Sequence, residues 1–297
     1  MAKNFKRISL YFILFSLISV SFLWLKDSIF FMPKEYKTLK DTVDKLRSKN
    51  YLGSFPILFT ITSGSSTSLK LEELGICEKN NCDLFEELNP YVDYKGKNSQ
   101  EVNESIRQSI LFNGIDAKAY SHGTISISRS TFINYENNEP FLACLLAHEI
   151  SHVKQDHQFK ENLKLYENKE NKNNLNDENL VFKFSRYFEK EADNFALEMV
   201  YKSGYQIDTC IDNYQYLAKK HALSIDTKEA STHPGYIERL QNLKDHKKIF
   251  INNINEKKSK EFTKGFWKYN KKLNFIQFIP TYKDWNQNTS LKQRTNR

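Results

Sequence analysis

The most continuous apolar segment of the chain lies close to its N-terminus. Residues 8–25 (ISLYFILFSLISVSFLWL) carry no charge and follow a short basic cluster. A helix of this length nearly matches the hydrocarbon thickness of a bilayer, so residues 1–26 are predicted to form a signal anchor or a cleaved signal peptide. We favour the anchor because the small-x-small cleavage candidate, Ser19-Val20-Ser21, lies inside the apolar run. The basic flank predicts an extracytoplasmic location, periplasmic or cell-envelope, for the rest of the chain.

The pattern after this run is polar and mixed as far as residue 114. Residues 27–50 are rich in charge and predict a partly helical stalk. Residues 51–62 (YLGSFPILFTIT) predict a short strand pair or a packed extended segment. Short helices are expected near residues 69–74 and 99–112.

A period-two pattern within residues 117–134 predicts a strand. Ile125 and Ile127 point one way while Ser126 and Ser128 point the other, which is typical of a half-buried strand. This strand is expected to belong to a small sheet beside the helices that follow it.

Helical patterns dominate the next hundred or so residues. A strongly apolar helix is predicted to begin at Glu139-Pro140, since proline is favoured in the first helical turn. Residues 154–178 are almost free of apolar side chains and predict a solvated helix, a loop or both. Amphipathic helices are expected over residues 179–203, ending at Gly204, and over Gly235–Asp245. Together the patterns predict an α+β protein that is mainly helical.

Composition and charge narrow the possible classes of protein. A hydrophobic fraction of 39% and an aromatic fraction of 14% support a packed core, so wholesale disorder is not expected. The net charge of +8 and the pI near 9.0 can favour acidic partners such as an anionic membrane surface. Nucleic acid is not expected as a partner, because no Gly-rich phosphate loop or nucleic-acid motif accompanies the charge.

Four cysteines are compatible with an oxidising compartment without proving one. Cys77 and Cys82 stand five apart among polar turn formers and can close a small disulfide loop. The same spacing resembles half of a zinc ribbon, but no second pair of this kind completes it. Cys144 lies on an apolar helical face and is interpreted as inert packing, and Cys210 supports no prediction.

The strongest chemical signal is His148-Glu149-Ile150-Ser151-His152, an H-E-x-x-H pattern on the predicted apolar helix. Residues four apart project from one helical face, so both imidazoles can bind one ion. Glu149 can reach a water on that ion and act as general base, since zinc lowers the pKa of bound water to about 7. The alternative is a surface helix with two unrelated histidines.

A zinc site needs a third protein ligand, and a carboxylate on a second helix is one known solution. Glu189 and Asp193 are four apart and share a helical face. We assign Glu189 to the metal and Asp193 to accepting a histidine N–H. Glu191 is expected to face solvent. From the spacing alone, an ordinary charged helix face explains this pattern equally well.

The metzincin arrangement of a third histidine is excluded. It requires a histidine six residues after the second ligand and a glycine three residues after it, where this chain has Gln158 and Gln155. His157 misses the register and is interpreted as a surface or packing residue.

The ordered motifs LLAHEISHV, SRYFEKEAD and THPGYIERL resemble the zinc metallopeptidase family that contains HtpX, the BepA-type periplasmic peptidases and the CAAX prenyl endopeptidases. The resemblance covers about residues 115–245. It implies a zincin-like domain with one Zn²⁺ per chain and with a small sheet whose edge strand flanks the active-site helix. It also implies that His148, His152 and Glu189 are the ligands, that Glu149 is the catalytic base and that Asp193 supports a ligand.

Two further roles are implied by the resemblance. The His-Pro motif falls at His233-Pro234, where His233 can donate to the developing oxyanion or cap the zinc, although a simple loop residue is equally expected. Arg239, which follows this motif, can fix the loop or a carboxylate.

The substrate strand of the family resembles Gly123–Ser128. Its edge is expected to be exposed and to pair with an extended peptide through Gly123, Thr124, Ile125 and Ser126. The preceding Ser121-His122 departs from the more apolar, Gly-rich stretch of the relatives, which leaves the register open.

These interpretations divide the chain into a membrane segment (1–26), a stalk with the N-terminal part of the catalytic region (27–114), a zincin-like core (115–250) and a basic aromatic tail (251–297). The leading hypothesis is a zinc endopeptidase that hydrolyses unfolded or misassembled envelope proteins and contacts the membrane through its N-terminal segment. The alternatives are a latent or chaperone-like binding module with the same fold and metal, and a helical protein with a fortuitous motif.

Overall fold

The structure is a computed structural model that describes residues 32–78, 95–112, 114–170, 178–221, 224–253 and 262–281. The predicted membrane segment at residues 8–25 lies outside the described residues, and so does Cys82 of the predicted Cys77–Cys82 disulfide. Within the described ranges, every helix is too short or too polar to cross a bilayer.

Helices account for most of the described residues. They are α1 (Lys34–Arg47), α2 (Ser65–Glu73), α3 (Ser99–Phe112), α4 (Arg129–Asn134), α5 (Glu139–Lys154), α6 (His157–Glu170), α7 (Glu178–Lys202), α8 (Thr209–His221) and α9 (Tyr236–Asn253). The helix predicted over 179–203 ends as expected before Gly204, whose φ of +90° suits a residue without a side chain. The last predicted helix continues to Asn253 rather than ending at Asp245.

Five strands form one mixed sheet: β1 (Ile57–Thr62), β2 (Ala117–Ala119), β3 (Thr124–Ser128), β4 (Gly265–Asn270) and β5 (Phe275–Pro280). Their order is β2-β3-β1-β5-β4, in which only β1 and β3 run parallel. The predicted α+β class, mainly helical with a small sheet, is therefore confirmed at this level. Residues 51–62 contribute a single strand, not a strand pair.

Strand β3 lies inside the sheet, which corrects two predictions. Ile125 pairs with Phe59 of β1 on one side and with Ala119 of β2 on the other. The exposed edge predicted for Gly123–Ser128 is therefore wrong, and β2 is the strand at the open edge. All five residues of β3 are buried, so the prediction of a half-buried strand is also wrong.

The serines of β3 explain why the alternating pattern misleads. Ser128 is 2% exposed, and its hydroxyl lies 2.8 Å from that of Ser130 and 2.9 Å from that of Thr131. A buried hydroxyl is tolerated when it is hydrogen-bonded inside the protein. The hydroxyl of Ser128 therefore faces neighbouring hydroxyls, not water.

The described parts of the predicted stalk and tail, residues 34–47 and 265–280, pack in the core. The apolar face of α1 is fully buried, and the Tyr36 hydroxyl donates to the backbone oxygen of Asn274 at 2.6 Å. In β5, Ile276 and Phe278 have no exposed surface and pair with β1. Residues 34–47 and 265–280 thus complete the domain that holds the catalytic motif.

Helix α5 is the central helix of the domain. Leu142, Leu146 and Ile150 lie on its buried faces, and Pro140 stands in its first turn as predicted. Helix α7 packs along it through small residues such as Ala192 and Ala196, which lets the two helices approach closely. This pairing determines which side chains of α5 and α7 meet.

A disulfide joins α5 to α8. Cys144 and Cys210 are bonded, with their Cα atoms 5.4 Å apart. Cys144 does lie on an apolar face, but the interpretation of this residue as inert packing is wrong. The bond closes a loop with a sequence separation of 66 residues.

Loss of this disulfide should weaken the fold. A loop of that length predicts a stabilisation of about 4 kcal/mol, and native disulfides of small domains contribute about 2–5 kcal/mol. We expect Cys210→Ser to lower the midpoint of urea unfolding accordingly. In a double-mutant cycle, Cys144→Ser should cost little once Cys210 is replaced. Equal and additive effects of the two substitutions would contradict the bond.

Candidate metal centre

The two histidines of the H-E-x-x-H motif face the same point. They stand one helical turn apart on α5, and the buried residues on the other side of this helix fix its rotation. The Nε2 atoms of His148 and His152 are 3.1 Å apart. Both side chains are largely buried, at 13% and 17% exposure. The structure thus brings these two predicted ligands together.

Glu189 of α7 supplies the third donor. Its Oε2 lies 3.5 Å from Nε2 of His148, and its Oε1 lies 3.5 Å from Nε2 of His152. Donors bound tetrahedrally at about 2.0–2.1 Å from one zinc ion lie about 3.3 Å apart. Taking one ligand atom from each side chain, the three donors lie within 4.8 Å of one another, which is close enough to share one zinc ion after a small adjustment of the Glu189 carboxylate. Among the described residues, this trio is the group suited to hold a metal.

Asp193 orients the first ligand. Its Oδ1 accepts from Nδ1 of His148 at 3.0 Å, which leaves the Nε2 lone pair directed at the metal position. Burial lowers the pKa of His148, but the hydrogen bonds to Asp193 and Glu189 outweigh it and raise the pKa to about 10. The carboxylates around His148 thus provide a strongly anionic environment, which also favours a bound cation.

Arg239 of α9 contacts both carboxylates. Its Nε and Nη2 donate to Asp193 at 2.8 and 2.6 Å, and its Nη1 lies 3.3 Å from Glu189. Burial raises the pKa of Asp193, yet the net shift is downward because Arg239 and His148 stabilise its anion. The ring of Tyr214 lies 4.7 Å from the guanidinium carbon and covers its face. The role implied for Arg239, fixing a carboxylate, agrees with this geometry.

His152 has its own chain of partners, which the sequence did not reveal. Nδ1 of His152 lies 3.0 Å from Nδ1 of His157, and Nε2 of His157 lies 3.1 Å from Glu191. One set of tautomers satisfies all three groups: His152 donates to His157, His157 donates to Glu191, and Nε2 of His152 stays available to a metal.

The prediction for His157 was incomplete, and the prediction for Glu191 was wrong. His157 is 2% exposed and stacks on Phe188 with a ring distance of 4.7 Å, while Glu191 bonds to it and does not simply face solvent. The reason is a break between α5 and α6, where Asp156 adopts a φ of +53°. The chain turns there, so His157 returns to His152, a position that a continuous helix would not give.

His157→Phe should weaken zinc binding without removing the packing. The phenyl ring preserves the stack on Phe188 but leaves His152 without its acceptor. Loss of a partner behind a metal ligand typically costs 10–100-fold in affinity. We expect a loss of about that size in competition titrations with a zinc chelator, and none for His122→Phe at the exposed turn before β3. Unchanged affinity in His157→Phe would contradict the orienting role.

Glu149 is positioned as a buried base beside the three donors. It is 6% exposed, and burial raises its pKa to about 7, while His148 and the backbone of Ala119 act in the opposite direction. A general base works best with a pKa near the operating pH. The environment of Glu149 therefore suits proton transfer better than metal binding.

A cleft of about 420 Å³ opens on the donors and on Glu149. The β2 strand forms one wall, α5 and α7 form the floor, and His233 stands at the rim with 63% of its side chain exposed. Nε2 of His233 lies 3.6 Å from Oε1 of Glu189, and Nδ1 lies 2.9 Å from the Thr232 hydroxyl. His233 is thus next to the candidate metal position.

Strand β2, and not β3, lies beside the cleft. Among the residues that line the cleft, Ala117 and Ala119 of β2 take the place expected for Gly123–Ser126. Gly123 serves the turn between β2 and β3: its φ is +80°, and a Cβ there would lie 3.0 Å from the Pro56 oxygen. Strand β2 is only three residues long, so its alternation is too short to predict a separate strand from sequence.

Residues 173–247 match the family model of peptidase family M48. The match includes Glu189, Asp193, His233 and Arg239. It begins after the H-E-x-x-H motif, so the motif and the family match lie in separate parts of the chain. It confirms the resemblance to the zinc metallopeptidase family and supports the coarse prediction of a metal-dependent peptidase. No curated protein and no solved structure matches the chain.

Proposed function

We propose that this chain, part of which matches peptidase family M48, is a zinc-dependent endopeptidase. One observation carries the proposal: His148, His152 and Glu189, on two helices, bring one ligand atom each to within 4.8 Å of one another, beside the buried carboxyl of Glu149. This is the donor set of a catalytic zinc site, in which three protein ligands leave one position open. A structural site would instead be closed by a fourth side chain.

The residues that would hold the ion are His148, His152 and Glu189. A zinc ion held by these residues would supply Lewis-acid chemistry toward water and the scissile carbonyl. Glu149 takes the proton of the attacking water at its carboxylate and delivers it to the leaving amine. His233 is proposed to donate to the oxygen that becomes negative, because its Nε2 lies at the rim beside Glu189.

We propose that the substrate pairs with the open edge of β2. Tyr120 donates to Thr124 and Ser128 donates to Asp116, so the alternate residues Ala117 and Ala119 direct their backbone groups away from β3. An extended polypeptide can add to that edge by backbone hydrogen bonds. This mode requires an unfolded segment, which supports unfolded or misassembled polypeptides as substrates.

An extracytoplasmic location is proposed with the apolar N-terminal segment as a membrane anchor. The Cys144–Cys210 disulfide supports it, because structural disulfides persist mainly in oxidising compartments. Envelope proteins would then be the substrates within reach of the cleft.

The test uses the full-length protein purified in detergent. We expect about one zinc per chain by metal analysis and cleavage of a permanently unfolded protein, lost with a chelator and restored by added zinc. Zinc without cleavage under any condition would favour a latent or chaperone-like binding module. Absence of zinc binding would favour a fortuitous motif on a helical protein.

A further inference from the structure

The first turn of α1 fixes the point at which the N-terminal segment joins the domain. Glu35 lies 3.1 Å from Arg129, the first residue of α4. The hydroxyl of Tyr36 donates to the backbone oxygen of Asn274 at 2.6 Å, in the turn between β4 and β5. The chain therefore joins the domain between α4 on one side and the β4–β5 turn on the other.

An exposed apolar side chain stands on each side of this point. Ile133 of α4 is 52% exposed, and Leu273 in the β4–β5 turn is 58% exposed. Lys271 and Lys272 of the same turn are exposed, and so is Lys37 of α1. We call these five residues the attachment face. Isolated apolar side chains among lysines suit the interfacial layer of a membrane, where the apolar groups reach the acyl boundary and the cations stay among the headgroups.

The proposed membrane anchor holds this face near the bilayer. The apolar run ends at Leu25, and Met32 already packs against the core. A chain of seven residues spans at most about 25 Å even when fully extended. A domain of about 200 residues is roughly 40 Å across. The side of the domain opposite the attachment point therefore cannot touch the bilayer, whereas the attachment face can.

Charge and shape favour a lipid surface over a protein as the occupant of this face. Lys37, Lys271 and Lys272 have the same sign as the whole chain, whose net charge is +8. Each such cation near an anionic membrane strengthens binding by a factor of about five. The face is assembled from two helices and a turn, so its side chains project separately. A fluid lipid layer can adapt to such a surface, while a rigid protein would need a matching relief.

We propose that the attachment face lies on the membrane. In this arrangement Leu273 and Ile133 enter the headgroup layer, and Lys37, Lys271 and Lys272 contact anionic lipid headgroups. This inference rests on the membrane anchor of the proposed function and adds the orientation of the domain above the bilayer. It does not depend on catalysis.

The orientation places the metal centre away from the lipid. Helix α5 begins three residues after Glu136, which pairs with Lys34 at the attachment end. The helix rises about 20 Å before it reaches His152. Val153 then lies beside Gly123, at the opposite end of β1 from the β4–β5 turn. The cleft is thereby presented to unfolded segments outside the membrane and not to transmembrane ones.

The test uses the full-length protein in vesicles of phosphatidylglycerol and phosphatidylcholine. A photoreactive diazirine amino acid replaces Leu273 or Ile133, and lipid adducts are quantified by mass spectrometry after illumination. Phe55 is the matched control position, because it is 73% exposed and precedes β1 at the far end of the domain. We expect about tenfold or more adduct at the two positions of the attachment face relative to the control.

Reversal of two charges tests the part played by the lysines. Lys271→Glu combined with Lys272→Glu should lower the lipid adduct at the position of Ile133 about fivefold or more. In vesicles of phosphatidylcholine alone, this variant and the parent should give equal adduct. Lys219→Glu combined with Lys220→Glu, at the exposed end of α8, is the matched control and should behave as the parent. Lys271→Gln with Lys272→Gln serves if the reversal destabilises the turn.

Flotation of the vesicles separates the inference from its premise. Protein that floats with the vesicles but gives no lipid adduct at Leu273, or as much at Phe55, overturns the orientation while the anchor stands. Adducts from Leu273 to a second copy of the chain in place of lipid also overturn it and make this face a dimer contact. Protein that does not float overturns the anchor and the attachment face together.

Discussion

Glu149→Gln is expected to lower kcat for an unfolded substrate by about 10²–10⁴-fold, the usual contribution of a general base. The amide has nearly the shape of the carboxylate but cannot accept the proton of the attacking water. Because Glu149 is not among the three donors, zinc content should stay at about one per chain. The measurement is single-turnover cleavage at matched zinc occupancy, so that loss of chemistry is not confused with loss of metal.

Glu136→Gln provides the control, since Glu136 is exposed and pairs with Lys34 on the surface. It should leave both zinc content and cleavage unchanged. If Glu149→Gln kept the parental rate at full zinc occupancy, another group would have to be the base. If it lost zinc as well, Glu149 would be acting as a ligand.

Glu189→Ala should abolish stoichiometric zinc binding. It removes one of three donors and also leaves Arg239 with a single counter-charge inside the domain. Loss of a partner behind a ligand costs roughly 10–100-fold in metal affinity, and loss of the ligand itself should exceed that range. Competition with a chromophoric chelator measures the affinity, and cleavage should fall in proportion to occupancy.

The matched control lies on the same helix. Glu198 of α7 pairs with His246 and Lys202 away from the cleft, so Glu198→Ala should keep the parental affinity for zinc. Full zinc affinity in Glu189→Ala would mean that the ion is held by a different third group, and the assignment of the centre would have to be revised.

The parts of the site that follow from local geometry could be predicted from sequence. His148, Glu149 and His152 are placed by the turn of one helix, and Glu189 and Asp193 share a face of the second for the same reason. The contact between these two helical faces is a tertiary contact, which residue spacing cannot predict. The assignment of Glu189 as the third ligand therefore depended on the resemblance of the motifs to the family.

What could not be predicted depends on pairings between distant segments. Nothing in the alternation of residues 124–128 indicates that β2 covers one edge of that strand and β1 the other. The contact of His157 with His152 could not be predicted, because it depends on the turn of the chain at Asp156. The charged surface of residues 34–47 concealed an apolar face that packs on the core.

The sheet has a consequence for the order in which the molecule can be assembled. The central strand of the sheet, β1, pairs with β5, which lies more than two hundred residues further along the chain. Tyr36 of α1 also hydrogen-bonds to Asn274, in the turn that precedes β5. β1 therefore has no partner on that side until β5 has been synthesised, so the five-stranded sheet is completed only after the helices of the metal centre.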